Sequence, residues 1–146
     1  MLTLERANEL LATTTTEPHL ILHAKNVMYA MGGLAKHFGE DVDHWKAIGY
    51  LHDYDYQQHP EEHLDHTAGP LKEAGLTDEE IRAILSHGYT LRNDVKPEAN
   101  IEKCLKEFEG SFFNKMTVRT RNVKRDLDMK NTHLTLLQKR LTRKAN

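Results

Sequence analysis

Apolar residues along this chain recur every three to four positions over most of its length, and sustained two-residue alternation is absent. That period belongs to helices with one buried face. Leu4, Ala7, Leu10 and Leu11 form a short opening helix, and the β-branched run Thr13 to Thr16 ends it. After Pro18 the buried face runs through Leu20, Ala24, Val27, Met31, Leu34 and Phe38, and Gly39 is placed to close the helix. A third helix begins near Asp43, with Trp45, Ile48 and Leu51 apolar. A fourth opens at Pro60, a favoured first helical position, ahead of Glu61 and Glu62, and Pro70 is expected to kink or end it. Thr77-Asp-Glu-Glu80 is a capping box before Ile81, Ala83, Ile84 and Leu85. Asn100 is positioned to cap one more helix through Leu105. The predicted fold class is all-α, one helical bundle.

The 146 residues suit a single domain that buries a real core, and 38% hydrophobic with 29% charged is an ordinary globular composition. No apolar run is long enough to span a bilayer, and MLTLERANELL lacks the basic start and apolar centre of a signal peptide. With one cysteine, Cys104, no internal disulfide is available, so a reducing cytoplasm is the expected setting and no membrane partner is expected. The net charge of −2 conceals an uneven distribution. Residues 1–114 hold 10 Lys and Arg against 20 Asp and Glu, whereas residues 115–146 hold 10 against 2. Two regions follow: a helical domain over 1–114 and a basic C-terminal tail over 115–146, helical in part. Because no stacking aromatics follow Phe113, nucleic acid is not an expected partner; docking on the acidic body or on a second copy is.

The candidate chemistry lies in the histidines. His52 and Asp53 end an apolar segment, but roughly 0.6 His-Asp pairs arise by chance from ten histidines and nine aspartates in 146 residues. The dipeptide alone carries little. Its surroundings carry more. His23, His52 and His87 each fall at or beside the apolar face of a different helix, an arrangement that converges on a shared metal site in helical bundles. Imidazole and carboxylate together suit Fe, Mn, Co, Ni or Zn. Adjacent helical side chains diverge by about 100°, so His52 and Asp53 share one ion only if the helix ends there.

The text His23-Ala24-x-x-Val27, Gly49-Tyr-Leu-His-Asp-Tyr-Asp-Tyr56, Pro60-Glu-Glu-His63 and Ser86-His87 resembles the HD superfamily of metal-dependent phosphohydrolases, in its small bacterial branch. The resemblance covers roughly residues 15–105. It implies that His23, His52 and Asp53 ligate a first metal, and that His63 and His87 hold a second metal or contact substrate phosphate. Asp53 is thereby catalytic. Asp55 is a second catalytic candidate that orients water or a ligand histidine, or else caps the helix end. The resemblance also implies a closing aspartate about twenty residues past His87, followed by small and apolar residues and further helices. Here Glu109 stands at that distance and the basic tail follows. Glu109, one methylene longer, either takes the aspartate's place with weakened metal retention or is a solvated helix residue like Glu102 and Glu107. Asp94 is a possible substitute ligand, although it falls early, in the loop before Pro97. His59 and His66 compete with His63, and His19, His37, His44 and His133 read as surface. The implied activity is metal-dependent hydrolysis of a small phosphorylated substrate, with nucleotides among the candidates, by a monomer or homo-oligomer. The alternatives are a di-iron oxygenase on the same fold and a catalytically impaired metal-binding or oligomerisation domain.

Overall fold

The structure is a computed structural model that describes residues 1–116, with side chains through Glu109. It contains six α-helices, and among the described residues there is no strand, only an isolated bridge between Tyr89 and Asn93. Helix α1 (Leu4–Ala12) starts where the Thr3 hydroxyl accepts the Arg6 amide, and it buries Ala7, Leu10 and Leu11. Helix α2 (Pro18–Phe38) has Pro18 in its first turn and stops at Gly39, whose φ of 69° is the left-handed conformation glycine adopts without a Cβ clash. Helix α3 (Val42–Leu51) is capped by Asp41, which accepts the His44 amide at 2.9 Å.

Helices α2 and α3 approach closely because of Gly49. A Cβ there would lie 2.9 Å from Met31 Cγ and 3.1 Å from the Val27 carbonyl oxygen. Val27, Met31 and Leu34 of α2 meet Ile48 and Leu51 of α3 in the core, and Leu11 closes it from α1. The same close approach brings His23 on α2 next to the end of α3.

The segment after α3 departs from the pattern. Pro60 does not open a long helix; it starts a single 3-10 turn, Pro60–Glu62, after which His63 is extended and Leu64 is left-handed at φ 74°. Pro70 does not end a helix either. It sits in the first turn of α4 (Ala68–Glu73), where its missing N–H leaves no intrahelical bond unmade. The capping box at Thr77 and Glu80 forms as expected and starts α5 (Asp78–Leu85). A 3-10 turn, Ser86–Gly88, follows directly and carries His87.

Helix α6 (Asn100–Met116) outruns its expected end at Leu105 and passes residue 114. Its buried face continues through Cys104, Leu105 and Phe108, and the first strong breaker, Gly110, lies beyond them. Glu102, expected in solvent, is 3% exposed and accepts the Glu98 and Ala99 amides at 2.9 Å, which orders the helix start. The basic segment after Met116, with His133, lies outside the described residues. No helix among those described is long and apolar enough to cross a membrane.

Candidate metal centre

Two helices, the end of a third and two turns converge on one cluster. His52 is the residue just after α3, fully buried, and its Nδ1 donates to the Gly49 carbonyl at 2.6 Å. His87 repeats the device after α5, with Nδ1 donating to the Ile84 carbonyl at 2.6 Å. A carbonyl only accepts, so each Nδ1 carries a proton and each Nε2 is the nitrogen that faces the cluster. The helix ends where the His52–Asp53 adjacency requires it to, and both side chains reach the same point.

His23 Nε2 lies 3.2 Å from His52 Nε2, 3.1 Å from Glu109 Oε1 and 3.4 Å from Asp53 Oδ2. Asp53 Oδ2 is 3.2 Å and Glu109 Oε2 is 3.3 Å from His52 Nε2. The other Asp53 oxygen, Oδ1, faces His63 Nε2 at 3.1 Å and His87 Nε2 at 3.5 Å, and those two nitrogens are 3.1 Å apart. Two groups result, His23–His52–Asp53–Glu109 and Asp53–His63–His87, whose ligand atoms lie within 4.8 Å of one another in each. Asp53 belongs to both.

These donors suit a divalent ion in each group. Nitrogen lone pairs 3.1–3.2 Å apart need a proton or a cation between them. Glu109 Oε2 is buried and, beyond its 3.3 Å approach to His52 Nε2, makes no well-formed hydrogen bond among the described residues, a need that a cation would satisfy.

A family model for the HD domain matches residues 20–124, a span that contains every residue of the cluster. The chain belongs to the HD domain family. No curated protein and no solved structure matches it.

The structure of this HD domain separates the candidates that the sequence left open. Glu109 lies in the cluster rather than in solvent. Asp55 is 1% exposed and stands behind His63, not over the cluster. Its Oδ1 accepts His63 Nδ1 at 2.9 Å and the Leu64 amide at 3.0 Å, and its Oδ2 accepts the His66 amide at 3.0 Å. Asp55 is therefore placed to position His63; of the targets expected for it, the one it meets is the histidine. His59 and His66 stack on each other at 3.7 Å, with His66 on Glu62, outside both groups. Asp94 is exposed and belongs to neither group. His19 and His37 are exposed, but His44 is not the surface residue expected: its Nε2 pairs at 2.8 Å with buried Glu80, which also accepts the Leu2 amide. His44 and Glu80 border a cavity of about 470 Å³ that shares no residue with the cluster.

Electrostatics in the cluster follow from burying carboxylates beside imidazoles. Burial alone would strip the proton from His23. Its bonds to Asp53 and Glu109 outweigh that effect and lift its pKa to about 9. Burial likewise opposes the charge on His63, but Asp53 and Asp55 raise it to about 9. His52 is held well above the ordinary histidine value, the Asp53 and Glu109 carboxylates overcoming its desolvation. Asp53 and Glu109 are correspondingly held below the usual carboxylate range despite burial, chiefly by the charge on His52 and the bond from His23. Protons thus supply the positive charge that the two carboxylates need, and a cation would displace them.

The sign of the pH dependence follows. Raised histidine pKa values stabilise the metal-free protein fully below about 6.5, and that contribution disappears as pH rises through about 9. Metal binding should strengthen over the same window as the competing protons leave. Thermal melts of metal-free and metal-loaded protein from pH 6 to 9 check this: the difference in Tm between the two is expected to widen with pH.

Proposed function

We propose that this HD domain is a metal-dependent phosphohydrolase that acts on a small phosphate ester through two divalent transition-metal ions. The observation that carries the reading is the position of Asp53, with one oxygen toward each group of histidines. His23, His52, Asp53 and Glu109 would hold the first ion, and Asp53, His63 and His87 the second. Bound there, divalent ions of the Fe, Mn, Co, Ni or Zn type supply Lewis acidity and favour ionised over neutral water.

The residues themselves decide what the site accepts. Only Asp53 and Glu109 among the six donor residues are carboxylates, so the protein contributes two negative charges and four neutral imidazoles. Two divalent ions would leave that set with net positive charge, which favours an anionic group such as a phosphoryl over a neutral substrate. Buried His52 and His87 form the floor, 0% and 5% exposed in their side chains, whereas His23, Asp53, His63 and Glu109 are 14–18% exposed. Access is therefore from one side. The protons on His52 and His87 Nδ1 are committed to main-chain carbonyls, so neither ring can rotate to offer the other nitrogen.

Orthophosphate is the simplest probe of this reading. Metal-loaded protein is expected to bind it in a calorimetric titration, and metal-free protein at least tenfold more weakly. Equal binding by the two forms would remove the support for a phosphoryl site at the ions.

A further inference from the structure

The two groups are built on different kinds of backbone. The first draws on helices α2 and α6 and on the end of α3. The second draws His87 from a 3-10 turn and His63 from the extended residue that follows another, with left-handed Leu64 directly after His63. A buried non-glycine residue in that conformation persists only where neighbours hold it. Asp55 holds the His63 turn from the inside through the ring and two amides.

An exposed side chain holds it from the outside. Arg92 Nη2 donates to the Glu61 carbonyl at 2.7 Å and Arg92 Nε donates to the His63 carbonyl at 3.2 Å. Arg92 is in turn fixed to the other turn. The Gly88 carbonyl accepts the Arg92 amide at 2.7 Å and the Leu91 amide at 3.1 Å, and Asn93 Nδ2 donates to the Leu85 carbonyl at 2.8 Å. Gly88 leaves no room between the two turns, since a Cβ there would press on Leu64 Cδ1 and come within 3.2 Å of Arg92 Cβ. The segment after His87 therefore reaches across and grips the main chain at His63.

We propose that Arg92 is a positioning residue that ties the His63 turn to the His87 turn and so sets how tightly the second group holds its ion. This rests on the two-ion reading above. The guanidinium suits the task because its planar fork addresses two carbonyls of one turn at once, which a lysine ammonium does less well. Arg92 touches none of the first group, so its effect should be confined to the second ion.

The experiment compares full-length wild type with Arg92→Gln and Arg92→Lys. Manganese or zinc titration into chelator-stripped protein gives the stoichiometry and affinity of each ion. Amide hydrogen exchange of the stripped protein reads the turn without any metal. The expected result for Arg92→Gln is a second equivalent weakened on the order of 10-fold to 100-fold, the usual range for an outer-shell change, with the first equivalent unchanged. The Leu64 and His66 amides should exchange at least tenfold faster, and Arg92→Lys should recover part of both effects. A wild-type second affinity in Arg92→Gln overturns the proposal. So does retention of both ions with only KM raised, because that outcome assigns Arg92 to substrate phosphate instead. If wild type itself takes up no second equivalent, the two-ion reading fails, and the exchange data then judge the clamp: unchanged rates at Leu64 and His66 overturn it, faster rates uphold its hold on the turn.

Discussion

Asp53→Ala is expected to leave the protein without either metal ion, the largest effect of any single substitution in the chain. Both Asp53 oxygens are engaged, one 3.2 Å from His52 Nε2 and the other 3.1 Å from His63 Nε2. Removing the carboxylate also takes away half of the negative charge in the cluster, leaving Glu109 alone beside four imidazoles. Imidazoles held near one another without that charge repel each other once protonated, so the variant gains no compensating stability. The other ligands divide cleanly. His23→Ala removes the first equivalent and spares most of the second; His63→Ala does the reverse. Elemental analysis of the wild type and the three variants, purified without chelator, gives the pattern directly. A full complement of metal in Asp53→Ala would place the metal elsewhere.

Glu109 is the second point of high leverage. Its extra methylene, relative to the aspartate that the family resemblance leads one to expect, does not hold its oxygens away from the cluster: they stand 3.1 and 3.3 Å from His23 and His52 Nε2. Helix α6 sets its position by burying Cys104, Leu105 and Phe108, so the side chain arrives on a rigid element. Glu109→Gln keeps the shape and removes the charge. If Glu109 ligates the first ion as proposed, affinity for that ion is expected to fall by more than the 10-fold to 100-fold typical of a change behind the ligands. Glu109→Asp keeps the charge and retracts it, and a displacement of about 1 Å can cost on the order of a hundredfold in rate. Shortening is therefore expected to lower turnover here, with metal partly retained. Unchanged metal content and rate in Glu109→Gln would return Glu109 to the role of an ordinary helix residue. The same measurement separates ligation from mere proximity.

What could be read from the sequence was local or periodic. Thr77 and Glu80 satisfy each other three residues apart, Gly39 closes α2 by its own backbone freedom, and the α2 stripe needs only the helical repeat. His23, His52 and His87 were legible because helical placement and the HD-like text agreed on them, whereas His63 came from the text alone and Asp53 from the text and its place beside His52. The failures share one cause. Pro60 satisfies a helix-start rule, but Asp55 takes up three groups between His63 and His66 and holds that segment in bends; Pro70, read as a helix breaker, instead falls in the first turn of α4. Glu102 and His44 read as solvated because their partners, the Glu98 and Ala99 amides and Glu80, become visible only in the folded chain. Asp55 was placed near the right task, but its two possible targets could not be told apart without the fold. Arg92 gave no signal at all. Its partners are main-chain carbonyls, which every residue carries, so no residue type in the sequence marks them.

Release of inorganic phosphate from a panel of small phosphate esters, nucleotides included, tests the central claim most directly. The protein is used full-length, stripped and then reloaded with manganese, cobalt, iron or zinc, beside the stripped form and Asp53→Ala. Phosphate release that requires added metal and vanishes in Asp53→Ala is the expected result. Protein carrying two equivalents of metal that releases no phosphate from any ester would contradict it, and oxygen uptake by the iron-loaded form in that case would assign the cluster to oxidation instead.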